Sequence, residues 1–309
     1  MEPRSACVTF ADFPIAPGIE DPRDTALAIL TGTEGPAYRP VGAAMWIRDG
    51  RVVAGSLSSG CVERDIALHA MECLAEGRGR SVRYGAGSPY FDIRLPCGGA
   101  LDVTILPAPE PGILDALDRA RASRSEALLS VSDLGLRVGM EGGGGLGLKV
   151  VPDITFQIFG KGPEAATFAE LAASAGYATT LHSPDDETLG AIQADRVTRH
   201  RLIRPGDPGD PAFDRYTAVA LFFHDHEWEP AILARAAASD AFYIGAQGSR
   251  RTRARRDAAL AELQVSAERI AAMKGPMGLL PRARDARTLA ISVLAEVVAE
   301  ADRLHLNRR

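Results

Sequence analysis

Two short turns place a cysteine beside glycine: Gly55-Ser56-Leu57-Ser58-Ser59-Gly60-Cys61 and, 36 positions after that cysteine, Cys97-Gly98-Gly99. Glycine lets backbone approach a ligand closely, and a thiolate is the preferred partner of a soft metal or a sulfur-bearing group. Cys61 and Cys97 are therefore the candidate metal ligands, with Ser58, Ser59, Gly60, Gly98 and Gly99 as surrounding contacts. If Cys61 opens a helix, unpaired first-turn amides and the dipole would lower its pKa, and the same loop would suit an anion. The alternative is a tight turn around an inert, buried thiol. The spacing lacks the Cys-x-x-Cys pairs of structural zinc sites.

Three further segments carry polar groups next to glycine or to an apolar run. Gly160-Lys161-Gly162-Pro163-Glu164-Ala165 has the G-x-G-x-x-A form that presents amides to a dinucleotide pyrophosphate between a strand and a helix. Where an acid should hold the ribose, roughly 20 residues on, stand His182-Ser183-Pro184, with Asp185 and Asp186 arriving late. That argues against ordinary NAD binding, and leaves a phosphate met by Lys161 or a scaffold without nucleotide. His224-Asp225-His226-Glu227 follows an apolar run, at the kind of strand end that lines a ligand crevice. His224 and His226 suit acid–base or metal chemistry, against the reading of a solvated loop. Gly248-Ser249-Arg250-Arg251 offers a capping serine, first-turn amides and forked donors, the parts of a phosphate site. Because 32 of the 35 basic residues are Arg, Arg253, Arg255 and Arg256 read as a solvated helix face.

These residues need elements to hold them. Asp49-Gly50 between apolar runs at 41–48 and 51–55 predicts a β-hairpin. Ile66, Ala67, Ala70, Met71 and Leu74 recur at helical spacing and predict a helix over 62–76, with Cys73 beside its apolar stripe. Alternation over 100–106 predicts a half-buried strand. The glycine run at 142–145 marks a linker over 141–152 between an N-terminal α+β domain, 1–140, and a C-terminal Rossmann-like domain, 153–309, with a mainly parallel sheet. In the latter, 154–159 and 177–181 predict strands around a helix over 163–175, with further strands at 218–223 and 241–245. A last helix after Asp285 turns Leu289, Ala290, Val293, Leu294, Val297, Val298 and Ala301 to a core or subunit interface, and Ser292, Glu296 and Glu300 to the other side.

Composition excludes several classes. With 46% hydrophobic and 24% charged residues over 309 positions, this is the make-up of a globular protein of two ordinary domains, without an apolar run long enough to span a bilayer. A net charge of −5 argues against nucleic acid as partner. Four cysteines form no disulfide framework, and the first 18 residues do not read as a secretion signal, so the protein is expected in the cytoplasm.

Taken in order, these motifs resemble the XdhC/CoxI family of xanthine dehydrogenase accessory proteins. Gly55 to Cys61 resembles its Gly-x-x-Ser-Gly-Gly-Cys loop, Cys97-Gly98-Gly99 its Gly-Cys-Gly-Gly turn, and His224 to Glu227 its Thr-His-Asp-His segment. Tyr243-Ile244-Gly245 with Gly248-Ser249-Arg250-Arg251 resembles a further block, and Gly275-Pro276-Met277-Gly278-Leu279 with Ala290 to Glu296 the C-terminal signature. The resemblance implies a maturation factor rather than a catalyst. Such a factor binds molybdenum cofactor, in its molybdopterin or dinucleotide form, protects it during sulfuration and hands it to an apo molybdo-hydroxylase. It further implies a homodimer and a cysteine desulfurase as partner. On that reading the pterin phosphate meets an amide-rich turn with an Arg, and Cys61 or Cys97 lies near the dithiolene and metal. An NAD(P)-dependent oxidoreductase and a cofactor-free interaction scaffold are the alternatives. Three positions depart from the family pattern: Ser59 for a glycine, Gly160-Lys161-Gly162-Pro163 for Gly-Ala-Gly-His, and Leu280 to Asp285 for Asp-Ile-Gly-Ala-Arg-Thr.

Overall fold

The computed structural model describes residues 4–15, 22–58, 60–88, 95, 98–132, 134–139, 145–225, 227–280, 283–304 and 306. They divide into two compact units that meet in sequence between Asp153 and Ile154.

The first unit is built from β1 (Arg4–Thr9), β2 (Thr25–Glu34), β3 (Ala44–Arg48), β4 (Arg51–Gly55), α1 (Cys61–Glu76), β5 (Arg80–Gly85), β6 (Ala100–Pro107), α2 (Pro111–Ala122), β7 (Ala127–Ser132), β8 (Gly135–Val138) and β9 (Leu146–Val151). Strands β4-β3-β2-β6-β5 form an antiparallel sheet, and β1-β9-β7-β8 a mixed one in which β1 and β9 run parallel. The central strand β2 is buried on both sides, which explains its unbroken apolar run. Ala26, Ala28 and Leu30 pack in one core with Val62, Ile66 and Ala70 of α1. Leu27 and Ile29 pack in the other with the second sheet and with Ile113 and Leu117 of α2. The expected hairpin is β3–β4, with φ of 51° at Asp49 and 69° at Gly50, the left-handed pair of a type I′ turn. Helix α1 ends where expected, on Gly77 in the left-handed conformation.

The linker expectation needs correction over 146–151. This segment is β9, paired on both edges, with Leu146, Leu148 and Val150 buried. Its alternating side chains give it a core face, which the preceding glycine run lacks.

The second unit contains β10 (Thr155–Gly160), α3 (Pro163–Ser174), β11 (Ala178–Ser183), α4 (Asp186–Gly190), β12 (Val197–Arg201), β13 (Thr217–Phe222), α5 (Glu229–Ala237), β14 (Tyr243–Ala246), α6 (Arg250–Glu262), α7 (Ala267–Ala272) and α8 (Ala286–Arg303). Its sheet is wholly parallel, in the order β12-β11-β10-β13-β14. The expected Rossmann-like βαβ arrangement is thus present. Alanines line the buried side of α3, and Phe168 meets Phe156 and Phe222 on the sheet. Helices α5, α6 and α7 share a core with Phe159, Val219, Leu221 and Ile244.

On α8 the outward placement of Ser292 and Glu296 is corrected. Ser292 is buried and its Oγ accepts the Leu280 N–H at 2.7 Å. One Glu296 oxygen accepts both the Tyr243 hydroxyl at 2.5 Å and the Gly278 N–H at 2.8 Å. The reason is the loop at 275–280, which lies on this side of the helix and has backbone donors to satisfy. Among the described residues, no helix is long and apolar enough to cross a membrane.

Candidate functional site

In the first unit, both glycine-bearing turns come to one end of the five-stranded sheet. Ala100 pairs with Glu34 and with Gly85, so the ends of β2, β5 and β6 coincide. The next residue back, Gly99, packs so tightly that a Cβ there would stand 2.3 Å from the Glu34 carbonyl oxygen. Gly98 has φ of 69° and open space around it. Helix α1 reaches the same end through its first turns, since the Tyr84 hydroxyl donates to Asp65 at 2.8 Å. Gly60 caps α1 and Cys61 begins it, as expected. Ser59 and Cys97 lie outside the described residues, and for Cys61 only the helical position is described.

Glu63, a residue without a role in the sequence reading, takes up part of the first turn's backbone donors. Glu63 Oε1 accepts the N–H groups of Leu57 at 3.1 Å and Ser58 at 3.3 Å. Two of the loop's amides are thereby spent on the chain's own carboxylate. That carboxylate also sets negative charge at the helix start, opposing the dipole that would favour a thiolate. The signal was present as an acid three residues past the helix cap, the capping-box position. Arg39 steadies the loop from outside, donating to Ser56 Oγ at 3.0 Å while lying 3.6 Å from Asp12. Cys73 is fully buried, and burial pushes its thiol up, consistent with a core role.

In the second unit, the ends of β10, β13 and β14 bring three of the expected segments together at the carboxyl edge of the sheet. The strand order reverses between β10 and β13, where a crevice forms in open α/β sheets. Gly160 is required there by close approach, because a Cβ would stand 2.6 Å from the Phe222 carbonyl oxygen. Lys161 N–H turns back to that same oxygen at 3.4 Å. Gly162, at φ of 88°, caps α3. Its N–H donates to Thr188 Oγ1 at 2.7 Å, and Asp185 accepts from both the amide and the hydroxyl of Thr188. Next along the edge, His224 Nε2 lies 3.9 Å from Glu164 Oε2, while Asp225 Oδ1 accepts the Glu227 N–H at 3.2 Å. His226 lies outside the described residues, and no cluster of metal-ligating side chains occurs among those described.

The third segment follows β14. Gly248 has φ of 135°, and Ser249 caps α6 by accepting the Thr252 N–H at 3.2 Å. Arg250 and Arg251 open the helix, whose first turn holds no acid. The expectation of a solvated face from Arg253 to Arg256 is corrected for Arg256. Its guanidinium is buried and grips Glu229 with two bonds, of 3.0 and 3.1 Å, and donates to the Gln247 carbonyl at 2.7 Å. Arg253 donates to the Gly275 carbonyl at 2.9 Å. These bonds tie the loop after β14 to the start of α5 and to the 275–280 loop.

His182, standing where a dinucleotide fold has its acid, belongs to the interior. It stacks on Phe159 with centroids 4.3 Å apart, and its Nε2 meets Gln157 Oε1 at 2.7 Å. Burial, and secondarily His200, push its pKa down to about 3.

A family model described as the XdhC Rossmann domain matches residues 156–297, and one described as the XdhC and CoxI family matches 19–85. The chain is 35% identical over 294 residues to the molybdenum cofactor insertion chaperone PaoD of Escherichia coli (strain K12), covering 92% of this chain and 85% of that protein. A solved structure described as a xanthine dehydrogenase (BH1974) from Bacillus halodurans superposes with a TM-score of 0.74 at 19% identity, covering 96% of each chain. At that identity the likeness speaks for the fold.

Proposed function

Because the chain belongs to the XdhC/CoxI family, we propose that it is an accessory chaperone of molybdoenzyme maturation. It binds molybdenum cofactor as cargo, supports its sulfuration and delivers it to an apo molybdo-hydroxylase of the xanthine dehydrogenase type. The carrying observation is the near full-length likeness to a protein named as a molybdenum cofactor insertion chaperone. The same reading makes the protein a cytoplasmic homodimer and a maturation factor rather than a catalyst. It meets a cysteine desulfurase and takes the cofactor in the molybdopterin or the dinucleotide form.

Two arrangements support the reading. In the first unit, the turn leading to Cys61 and the glycines following Cys97 share one end of a sheet, and thiolates suit a soft metal–sulfur group. In the second unit, the Ser249 cap and an α6 first turn without an acid leave amides suited to a phosphate, which Arg250 and Arg251 complement.

The test is release of a fluorescent pterin from the purified full chain after oxidation. Wild type carries pterin, and Cys61→Ala and Cys97→Ala each lower its amount. Unchanged pterin in both variants removes the thiols from the site. Absence of pterin from wild type isolated from cells that make the cofactor refutes the reading itself.

A further inference from the structure

The turn at 160–162 has the spacing of a phosphate cradle, yet its backbone donors at 161 and 162 are already committed. The Gly162 N–H, which would meet a pyrophosphate, is given to Thr188 Oγ1 at 2.7 Å, and Thr188 is fixed in turn by Asp185. The Lys161 N–H faces the Phe222 carbonyl. Pro163, the first residue of α3, has no N–H to offer. Glu164 then places a carboxylate in the first turn of the helix, 24% exposed and 3.9 Å from His224 Nε2. A helix start that ordinarily attracts an anion therefore carries one of its own, and a second anion arriving there meets that like charge, offset in part by the Lys161 ammonium, at a turn whose 161 and 162 amides are already given away. The start of α6, on the same edge of the sheet, shows the opposite character, with arginines and no acid.

We infer that Pro163, Glu164 and Thr188 are selectivity residues that close the β10 mouth to phosphate, so that this unit rejects NAD(P) in the pose its glycine spacing suggests. The rejection is electrostatic: the Glu164 carboxylate reaches back over the glycine turn, its Oε2 3.6 Å from where a Cβ on Gly162 would stand. One corollary rests on the chaperone reading above. The phosphate of the cargo is directed to the α6 side of the crevice and away from α3.

The experiment is calorimetric titration of the full chain with NAD+, NADH and ADP-ribose, comparing wild type with Glu164→Gln and with Glu164→Gln/Thr188→Val. Wild type shows no saturable binding below about 1 mM, whereas Glu164→Gln binds ADP-ribose at least about tenfold more tightly, with a further gain in the double variant. Saturable binding of any of the three ligands by wild type overturns the inference. So does a Glu164→Gln protein that melts like wild type and still fails to bind. Should the double variant melt early, the single variant alone decides. None of these titrations involves a pterin, so a failure here leaves the chaperone reading intact, and a failure of the pterin assay leaves this inference intact.

Discussion

Arg256→Leu is expected to be among the most damaging single changes available in the second unit. The Arg256 and Glu229 side chains are 5% and 2% exposed, and their two hydrogen bonds leave neither charge open to water. Two opposite charges about 4 Å apart at an effective dielectric near 20 attract by about 4 kcal/mol. Removing one partner takes both Arg256 hydrogen bonds from the buried Glu229 carboxylate, and breaking such a pair from one side costs about 3–5 kcal/mol. The Gln247 carbonyl also loses its 2.7 Å donor, which frees the segment leading to Gly248 and Ser249. At about 2–4 °C per kcal/mol for a unit of this size, the melting temperature falls by about 6–20 °C. Thermal unfolding followed by circular dichroism gives the number. The double variant Arg256→Leu/Glu229→Leu should recover most of the loss, because a buried apolar pair replaces a buried charge. A single variant that loses less than about 1 kcal/mol, or a double variant no more stable than the single, refutes the reasoning.

Two other perturbations follow from the same structure. His182 has a folded pKa of about 3 against an ordinary value of 6.5, so the unfolded chain binds the proton more readily. Its contribution is present above about pH 6.5 and is lost as pH falls toward about 3, amounting to about 2 kcal/mol between about pH 7 and about pH 5. Urea midpoints across that range should show the slope in wild type and a shallower one in His182→Phe; equal slopes count against a buried neutral imidazole. Gly160→Ala puts a methyl 2.6 Å from the Phe222 carbonyl oxygen and must part β10 from β13. A loss of about 1–3 kcal/mol is expected in denaturant titration, and a neutral substitution would mean that the strands are not so close.

What the sequence disclosed and what it hid follow one physical division. The β3–β4 hairpin, α1, β6 and the β10–α3–β11 unit were legible because their signals are local: a left-handed turn pair, helical spacing, strict alternation. Strand β9 was missed because the glycine run before it is a strong local breaker, whereas the pairing that makes β9 a strand comes from β7 on the other side of that run and from β1, far away in sequence. The inward turn of Ser292 and Glu296 was hidden for a related reason. A polar residue is welcome inside only if a distant backbone segment brings donors to it, as the 275–280 loop does. At the candidate sites, the positions of the glycine turns could be read, but their polarity could not. Glu63 and Thr188 reach amides five to 26 positions away and take up donors that the glycines alone would leave open. Ser59, Cys97 and His226 lie outside the described residues, so the thiol and imidazole roles proposed for them rest on sequence.

The pairing of β1 with β9 also governs when the first unit can be completed. Arg4 stands in register with Leu146 and Thr9 with Val151, so the first strand of this unit to be synthesised waits for its last. Until 146–151 emerges, β7 lacks its inner neighbour and the core side chains Ala6, Val8, Leu129 and Val131 have no finished sheet to lie in. Such long-range closure is slow and leaves strand edges exposed meanwhile. A nascent chain stalled before residue 146 would therefore carry a sticky half-sheet, and the second unit, whose strands lie wholly beyond Asp153, begins to appear only as the first one is clasped shut.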